Sequence, residues 1–293
     1  MGREIYRGSI VALVTPFRGG GVDYKALDGL VDWHLASGTH GIIPLGTTGE
    51  SPTVDDAERT KILKTVIGRA KGKTAVIAGT GTNDTRKSVA YTKEAKDLGA
   101  DGALIVTPYY NKPTQEGIYR HVEAIAKAAD LPLCLYNIPY RSGVPIEPAT
   151  AARCAKLPQV VAIKEASGAL EYTLQLRQLC DLVVLSGEDS LTFPLMAVGA
   201  KGIISVAANV VPKEMADLCN RALAGDWNTA RELHAGLFSL MKAMFLETNP
   251  IPVKTALKLM GKIDGELRLP LCPMSEANEA KLREVLREYR LLG

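Results

Sequence analysis

Residues 74–108 read TAVIAGTGTNDTRKSVAYTKEAKDLGADGALIVTP and contain two short apolar runs joined by a segment with a different period. The apolar runs are residues 74–80 and 102–108. Between them, in residues 84–100, apolar residues recur every three or four positions and a glycine lies near the end. This pattern predicts a strand, a helix and a second strand. Both runs are apolar without alternation, so both faces of each strand should be covered, as in a parallel sheet with helices outside it.

The same alternation recurs along the chain. The predicted strands are eight apolar runs at residues 9–15, 41–46, 74–80, 102–108, 132–138, 160–166, 182–188 and 202–208. Eight strand and helix units match the (β/α)8 TIM barrel in number and length. An open doubly wound sheet is the alternative, but TPFRGGGVD after the first run lacks the GxGxxG turn of dinucleotide-binding sheets. We therefore predict an α/β protein with a TIM barrel.

Four helix-like segments follow the eighth strand and helix unit. We expect residues 1–211 to form the catalytic barrel domain, with its last helix running slightly beyond. Residues 212–293 should form a C-terminal helical extension that packs on the barrel. No Ser/Gly-rich linker separates the two regions, which favours an appendage over an independent domain.

Composition excludes several classes of protein. The 293 residues are 46% hydrophobic, and 35 basic and 32 acidic residues give a net charge of +3 without a basic block of the kind that binds nucleic acid. No apolar run is long enough to span a bilayer, and the N-terminus lacks a secretory apolar core. Five cysteines without CxxC spacing indicate reduced thiols in a cytoplasmic protein. The four histidines show no metal-ligand spacing, so no metal is expected.

Lys164 follows four apolar residues in VVAIKEASG, residues 160–168, at the end of the sixth predicted strand. Strand side chains alternate, so Lys164 should share a face with Val160 and Ala162. In a TIM barrel the active site lies where the strands end. An amine that points into an apolar interior has a lowered pKa and can condense with a ketone to a Schiff base. The alternative is a structural lysine paired with a carboxylate such as Glu165.

Three further motifs follow predicted strands. Tyr136 lies near the end of the fifth strand, and because strands five and six are neighbours in a barrel, its phenol could transfer protons beside the amine of Lys164. GTTGES, residues 46–51, has hydroxyls that could bind a carboxylate. The free N–H groups at the start of the next helix could bind it as well. Arg141 could bind a second carboxylate through two hydrogen bonds. Each motif alone also fits a structural role as a core tyrosine, a helix cap or a solvated arginine.

Together, four motifs resemble the dihydrodipicolinate synthase family, which belongs to the N-acetylneuraminate lyase superfamily of pyruvate aldolases. In order they are GTTGES (46–51), TPYYNKPTQEG (107–117), YNIPYRSG (136–143) and IKEASG (163–168). Residues 186–210 are similar to the seventh and eighth strand region of that family. Any one motif would be a weak signal, but four in the same order and spacing are a strong one.

The resemblance implies a mechanism and an assembly. Lys164 would form a Schiff base with pyruvate, and Thr48, Tyr136 and Tyr110 would form a proton relay. In the family the tyrosine at the position of Tyr110 reaches across a tight dimer interface into the neighbouring subunit's site. The resemblance therefore implies a homodimer, or a homotetramer built as a dimer of dimers. It implies neither a metal nor an organic cofactor.

The resemblance also implies how the substrates bind. Thr47 and Thr48 would hold the carboxylate of pyruvate, and Ile204 would contact the substrate. Arg141 would bind the carboxylate of L-aspartate 4-semialdehyde. The implied product is 4-hydroxy-tetrahydrodipicolinate, the cyclic precursor of diaminopimelate and lysine.

Relatives of the same superfamily remain alternatives. Lyases and aldolases for N-acetylneuraminate, 2-keto-3-deoxy sugar acids and 4-hydroxy-2-oxoglutarate use the same Schiff base, so Lys164 and Tyr136 do not separate them. Neuraminate lyases usually carry GSTGE and lack the arginine, whereas this chain has GTTGE and Arg141. A barrel that binds a keto acid without catalysis would be expected to lose a relay residue, and this chain keeps them all. These features favour the synthase.

One set of positions departs from the family's pattern. Members inhibited by lysine bind it at the dimer interface, and this chain keeps Ser51, Asn83 and Tyr109 from that site. At Lys87, however, the inhibited enzymes carry a glutamate that holds the ammonium of the ligand, and at Asp56 they often carry a histidine. A cation in place of an anion would repel lysine. We therefore predict weak or absent inhibition by lysine.

Overall fold

The computed structural model describes residues 2–292 and confirms the predicted (β/α)8 TIM barrel. Each strand pairs with the next strand in the chain, and the last pairs with the first. The eight parallel strands are β1 (Gly8–Ala12), β2 (Gly41–Ile43), β3 (Ala75–Gly79), β4 (Gly102–Val106), β5 (Leu133–Asn137), β6 (Val160–Glu165), β7 (Val183–Ser186) and β8 (Gly202–Ser205). Each lies within its predicted run, except that β1 begins one residue earlier.

Helices follow the strands and cover the outside of the barrel. They are α1 (Tyr24–Ala36), α2 (Asp56–Ala70), α3 (Thr85–Asp97), α4 (Gln115–Ala128), α5 (Pro139–Ser142), α6 (Pro148–Cys154), α7 (Leu170–Leu179), α8 (Thr192–Ala197), α9 (Pro212–Leu223), α10 (Trp227–Ala243), α11 (Ile251–Leu259) and α12 (Glu276–Glu288). Single turns of 3-10 helix occur at Ser51–Thr53, Asp189–Leu191 and Ala207–Asn209. Within residues 2–292, no helix has both the length and the apolar character needed to cross a bilayer.

Local sequence explains where several helices begin. Asp55 accepts a hydrogen bond from the backbone N–H of Glu58 at 2.8 Å, and the Glu58 side chain accepts one from the N–H of Asp55. This capping box satisfies two of the donors that a helix start leaves free, and so fixes the start of α2. Asp23 and Thr114 cap α1 and α4 more simply, each by accepting one hydrogen bond from a first-turn backbone N–H at its side-chain oxygen.

The chain after β8 first completes the barrel and then extends it. Helix α9 packs against β1 and β8, as the eighth barrel helix should. Helix α10 then packs on α9, and α12 packs on α10 and α11. A short hairpin, Phe17–Arg18 with Gly21–Val22, follows β1 and touches the C-terminal region through a bridge between Phe17 and Glu266. The division at residue 211 remains a prediction, because packing is continuous across it.

The alternation of side chains along β6 is interrupted by a bulge. Ala162 packs with the barrel interior and Ile163 with the layer between sheet and helices, as predicted. The prediction was wrong for the start of the strand, where Val161 faces inward and Val160 outward. The register with β5 shifts there, since Leu133 pairs with Val160 but the next residue of β5 pairs with Ala162. An extra residue in one strand reverses the facing of the residues before it.

Candidate active site

Lys164 and Tyr136 meet inside the mouth of the barrel, as the strand order predicts. They are direct partners in the register between β6 and β5. The Nζ atom of Lys164 lies 4.2 Å from the centre of the Tyr136 ring, and each residue is only 5% exposed. A phenol and an amine are thus held together where little water can reach them.

The surroundings of Lys164 favour a neutral amine. Burial lowers its pKa to about 8, against the opposing influence of Tyr140, Asp189 and Glu188. Its side chain also has room, because Gly187 after β7 leaves the space beside it open. A Cβ atom at Gly187 would lie 3.1 Å from Cε of Lys164 and 2.5 Å from Cβ of Ala166.

The alternative in which Glu165 neutralises Lys164 does not match the geometry. One carboxylate oxygen of Glu165 accepts a hydrogen bond from Nδ2 of Asn137 at 2.8 Å, and the other accepts one from the N–H of Ser167 at 2.6 Å. Glu165 is thereby used to fix the loop that follows β6. The ion pairs formed among residues 2–292 do not include Lys164.

Tyr136 is suited to proton transfer as a neutral phenol. Burial raises its pKa above the ordinary tyrosine range, although Arg141 and Thr47 act in the opposite direction. Near neutral pH the hydroxyl therefore keeps its proton and can both donate and accept a hydrogen bond. This is the property that a relay between an amine and a carbonyl oxygen requires.

The GTTGES loop lies beside this pair after β2. Its backbone is tightly turned, since Leu45 and Glu50 both adopt left-handed conformations with φ of 61° and 52°. Thr48 is buried and its Oγ1 accepts a hydrogen bond from Nδ2 of Asn249 at 3.0 Å. The expected helix N-terminus is not available to a ligand here, because α2 begins only at Asp56 and is capped by its own residues. The hydroxyls of the loop remain candidates for binding a carboxylate.

A cavity of about 320 Å³ opens at this end of the barrel. Its wall includes Thr47, Tyr136, Arg141 and Asn249. Arg141 lies on the short helix α5, and its Nη2 donates to the backbone oxygen of Asn249 at 3.2 Å. Ile204 lies deeper, fully buried on β8 among the interior residues and away from the cavity wall. The cavity thus brings together a guanidinium and the threonine loop, and Asn249 contacts both Arg141 and Thr48.

The two tyrosines after β4 have different environments. Tyr109 is half-buried and lines the cavity, and burial raises the pKa of its phenol. Tyr110 is 89% exposed and has a φ of 71°, an uncommon left-handed conformation for a tyrosine. A single chain therefore does not bring Tyr110 to Lys164.

Two of the positions compared above with a lysine site belong to the wall of this cavity. Ser51 and Tyr109 line it, and the backbone oxygen of Asn83 accepts a hydrogen bond from Asn111 at 2.9 Å. Lys87 is exposed in the first turn of α3. Asp56 accepts a hydrogen bond from the hydroxyl of Tyr91 at 2.7 Å.

Sequence reasoning missed the residues that support the site from a distance. Asn249 contacts both Thr48 and Arg141, yet it lies 201 residues from Thr48 and in no recognisable motif. Asp189 after β7 is buried and accepts hydrogen bonds from Ser205 at 2.5 Å and from two backbone N–H groups. A pair of acidic residues directly after a predicted strand is a signal that could have revealed Asp189. Nothing local could have revealed Asn249.

The described part of the chain, residues 2–292, has no group of three or more His, Cys, Asp or Glu side chains arranged to hold a metal ion. The candidate groups at the site are instead an amine, a phenol, hydroxyls and a guanidinium. These suit covalent chemistry on a carbonyl compound that carries carboxylates.

Comparisons with known proteins agree with this chemistry. The family described as "Dihydrodipicolinate synthetase family" matches residues 5–289. A 4-hydroxy-tetrahydrodipicolinate synthase from Geobacter sulfurreducens is 53% identical over 290 residues, covering 98% of this chain and 100% of the relative. The crystal structure of dihydrodipicolinate synthase from Aquifex aeolicus has a TM-score of 0.96 at 49% identity, covering 98% and 99% of the two chains. That of the Acinetobacter baumannii enzyme, complexed with pyruvate, has a TM-score of 0.96 at 47% identity, covering 98% and 100%.

The lowered pKa of Lys164 can be measured by reductive methylation with formaldehyde and cyanoborohydride, which modifies neutral amines. Since that pKa is lowered to about 8, we expect methylation of Lys164 to rise about tenfold per pH unit below pH 8 and to level off above it. An added acetyl-lysine peptide, whose free amine has a pKa of about 10.4, should still be rising at pH 9. Mass spectrometry gives each profile. A Lys164 profile that coincides with that of the reference peptide would contradict the assignment.

Proposed function

The chain belongs to the dihydrodipicolinate synthetase family, and we propose that Lys164 is the residue on which its reaction takes place. The protein is a lyase, a 4-hydroxy-tetrahydrodipicolinate synthase, which condenses pyruvate with L-aspartate 4-semialdehyde in the route to diaminopimelate and lysine. The observation that carries the assignment of Lys164 is its buried amine, which contacts a phenol ring and forms no ion pair among residues 2–292.

The proposed reaction begins at Nζ of Lys164. The neutral amine attacks the keto carbon of pyruvate, and loss of water from the carbinolamine leaves an imine. Loss of a proton from the methyl carbon gives an enamine, whose carbon forms a bond to the aldehyde carbon of the second substrate. The amine of that substrate then displaces Lys164 by transimination as the ring closes, which returns the free enzyme.

The other site residues take roles that fit this sequence of steps. Tyr136 would carry protons to and from the carbinolamine oxygen, with Thr48 and Tyr110 as the remaining members of the relay. Thr47 and Thr48 would hold the carboxylate of pyruvate. Ile204 is buried on β8, so it would contact the bound pyruvyl group from the interior side of the barrel.

Arg141 is proposed to select the second substrate. Arg141 lines the cavity, as Thr47 does, and a planar guanidinium pairs with a carboxylate through two hydrogen bonds. Relatives that cleave N-acetylneuraminate or 4-hydroxy-2-oxoglutarate use the same amine, so selectivity has to come from other groups of the site. Arg141 favours a second substrate that carries its own carboxylate, which the aldehyde part of N-acetylneuraminate does not.

We propose that the enzyme acts as a homodimer, or as a homotetramer built from two such dimers. The exposed phenol of Tyr110, held in an uncommon backbone conformation, supports a role outside its own chain. The exposed leucines 170 and 174, one turn apart on α7, offer a second apolar contact surface. The cytoplasmic location expected from the sequence remains a prediction.

The activity is tested with purified protein. We expect turnover of pyruvate plus L-aspartate 4-semialdehyde to exceed by at least about a hundredfold the turnover of N-acetylneuraminate or 4-hydroxy-2-oxoglutarate. The aldehyde part of N-acetylneuraminate has no carboxylate for Arg141, and 4-hydroxy-2-oxoglutarate carries its second carboxylate directly on the carbon that reacts, closer to Lys164. Borohydride should trap pyruvate on Lys164, and Lys164→Ala should abolish both the adduct and the activity. A faster reaction with either rival would overturn the substrate assignment. An adduct on another lysine would overturn the role of Lys164.

Tyr110→Phe should lower kcat by about 10²-fold, because a relay hydroxyl is removed. The dimer and the free energy of unfolding should change little, because the ring that would contact the partner is kept and only the hydroxyl is lost. Sedimentation and urea denaturation check the assembly and the stability. Tyr119→Phe, on the surface of α4, is the matched control and should leave kcat unchanged.

Hybrid dimers show which subunit the hydroxyl serves. Mixing Tyr110→Phe subunits with Lys164→Ala subunits, each inactive or nearly so, should restore activity. The intact Lys164 of one subunit would then receive the intact Tyr110 of the other. No recovery on mixing would mean that Tyr110 acts within its own chain or not at all.

We further propose that lysine inhibits this enzyme weakly or not at all. Lys87 lies where an inhibited enzyme has an anion. A second cation is present near Asp56, since the buried guanidinium of Arg59 lies 3.9 Å from the centre of the Tyr91 ring, and the hydroxyl of Tyr91 donates to Asp56. Lysine should therefore give no half-inhibition below millimolar concentration. Lys87→Glu should increase sensitivity, whereas Lys93→Glu on the same helix should not. Half-inhibition of the unaltered enzyme well below millimolar would contradict this.

A further inference from the structure

The protein contains a second buried lysine outside the proposed mechanism. Lys254 on α11 is fully buried, and its Nζ lies 2.5 Å from Oε1 of Glu50 and 4.3 Å from the centre of the Phe17 ring. The other oxygen of Glu50 accepts a hydrogen bond from the backbone N–H of Arg268 at 3.1 Å. Glu50 is therefore held by two groups of the C-terminal region, which lie 204 and 218 residues away in the chain.

Glu50 lies at a critical point of the threonine loop. It follows Thr48 by two residues, and its N–H donates to the backbone oxygen of Thr47 at 3.1 Å, which closes the turn. Its φ of 52° is in the left-handed region, where a glutamate has a higher conformational energy than it would in an ordinary turn. A residue keeps such a conformation only where its surroundings hold it there. Here the contacts of the buried Glu50 carboxylate hold the backbone in this conformation.

A buried ion pair adds little to net stability, because both charges lose their water. What it provides is a fixed geometry, since either charge alone would be costly to bury. The Glu50 carboxylate is paired with Lys254, and turning it away would leave the buried charge of Lys254 unpaired. The direction of that side chain in turn fixes the backbone that carries the two threonines.

We propose that the buried ion pair between Glu50 and Lys254 positions Thr47 and Thr48 for the carboxylate of the first substrate. The inference rests on the proposed function, because it takes the threonines as the pyruvate carboxylate site. Glu50 and Lys254 are positioning residues and do not themselves contact pyruvate. The neighbouring contacts, from Thr15 to the oxygen of Gly49 at 2.7 Å and from Asn249 to Thr48, hold other atoms of the same loop.

Three variants separate positioning from stability: Glu50→Gln, Lys254→Met and the double variant with both changes. In each we expect the pyruvate concentration that gives half-maximal borohydride trapping on Lys164 to rise about tenfold, because the carboxylate receptor is no longer held in place. The maximal extent of trapping should remain, since the amine and Tyr136 are untouched. Each single variant should unfold at lower urea than the wild type, and the double variant should recover much of that loss because no charge remains unpaired.

His34→Leu provides a control for lost stability alone. His34 is fully buried near the end of α1, at the end of the barrel opposite to the mouth, and is bonded to Thr39. The His34→Leu variant should unfold at a lower urea concentration than the wild type. The pyruvate concentration that gives half-maximal trapping on Lys164 should be unchanged in it. A double variant with wild-type pyruvate dependence would overturn the proposal, as would single variants that lose stability but keep that dependence.

Hydrogen exchange gives a readout that does not depend on the substrate. Amides of residues 46–51 should exchange faster in Glu50→Gln and in the double variant than in the wild type, and should be unaffected in His34→Leu. If wild-type protein formed no pyruvate adduct, the proposed function would fail, while the exchange rates would still decide the positioning role. Unchanged exchange in the double variant would refute that role.

Discussion

The loss of water around the amine of Lys164 is the constraint on which the site depends. The barrel is closed, and its interior is filled by residues such as Ile10, Ile43, Leu104 and Leu185, so a lysine that points inward from β6 has little solvent. Burial then lowers the pKa of the amine to about 8. Closure of the sheet and packing of the interior both contribute to this burial, and Asp189 and Glu188 oppose its effect on the pKa without forming an ion pair with the amine.

Lys254 shows that burial alone does not produce a reactive amine. Lys164 and Lys254 are both buried, and each Nζ lies slightly more than 4 Å from the centre of an aromatic ring. Burial lowers the pKa of both. Lys254, however, directs its charge to the carboxylate of Glu50, whereas the nearest carboxyl group in sequence to Lys164, that of Glu165, is turned away to Asn137 and Ser167. The same residue type is thus a structural cation in one place and a candidate nucleophile in the other, and the partner decides which.

The sequence was sufficient for features that depend on local pattern or on strand order. Apolar runs located all eight strands, and neighbouring strands in a barrel brought Tyr136 to Lys164. It was insufficient where geometry depends on a local irregularity, as at Val160 and Val161, because a bulge has no signature in a run of uniformly apolar residues. It was also insufficient for Asn249 and Lys254, since their contacts join segments about 200 residues apart and nothing near either residue in the chain encodes the partner.

The two groups of candidate site residues are consequently placed in different ways. Lys164 and Tyr136 are placed by backbone pairing between adjacent strands, a register that the whole barrel maintains. Thr48 and Arg141 both contact Asn249, and Glu50 of the threonine loop contacts Lys254, through side-chain contacts that single substitutions can remove. The first arrangement can be kept while the second is changed. A barrel of this kind can therefore retain Schiff-base chemistry while its choice of substrate varies, because the groups proposed to bind carboxylates are not part of the sheet that holds the amine.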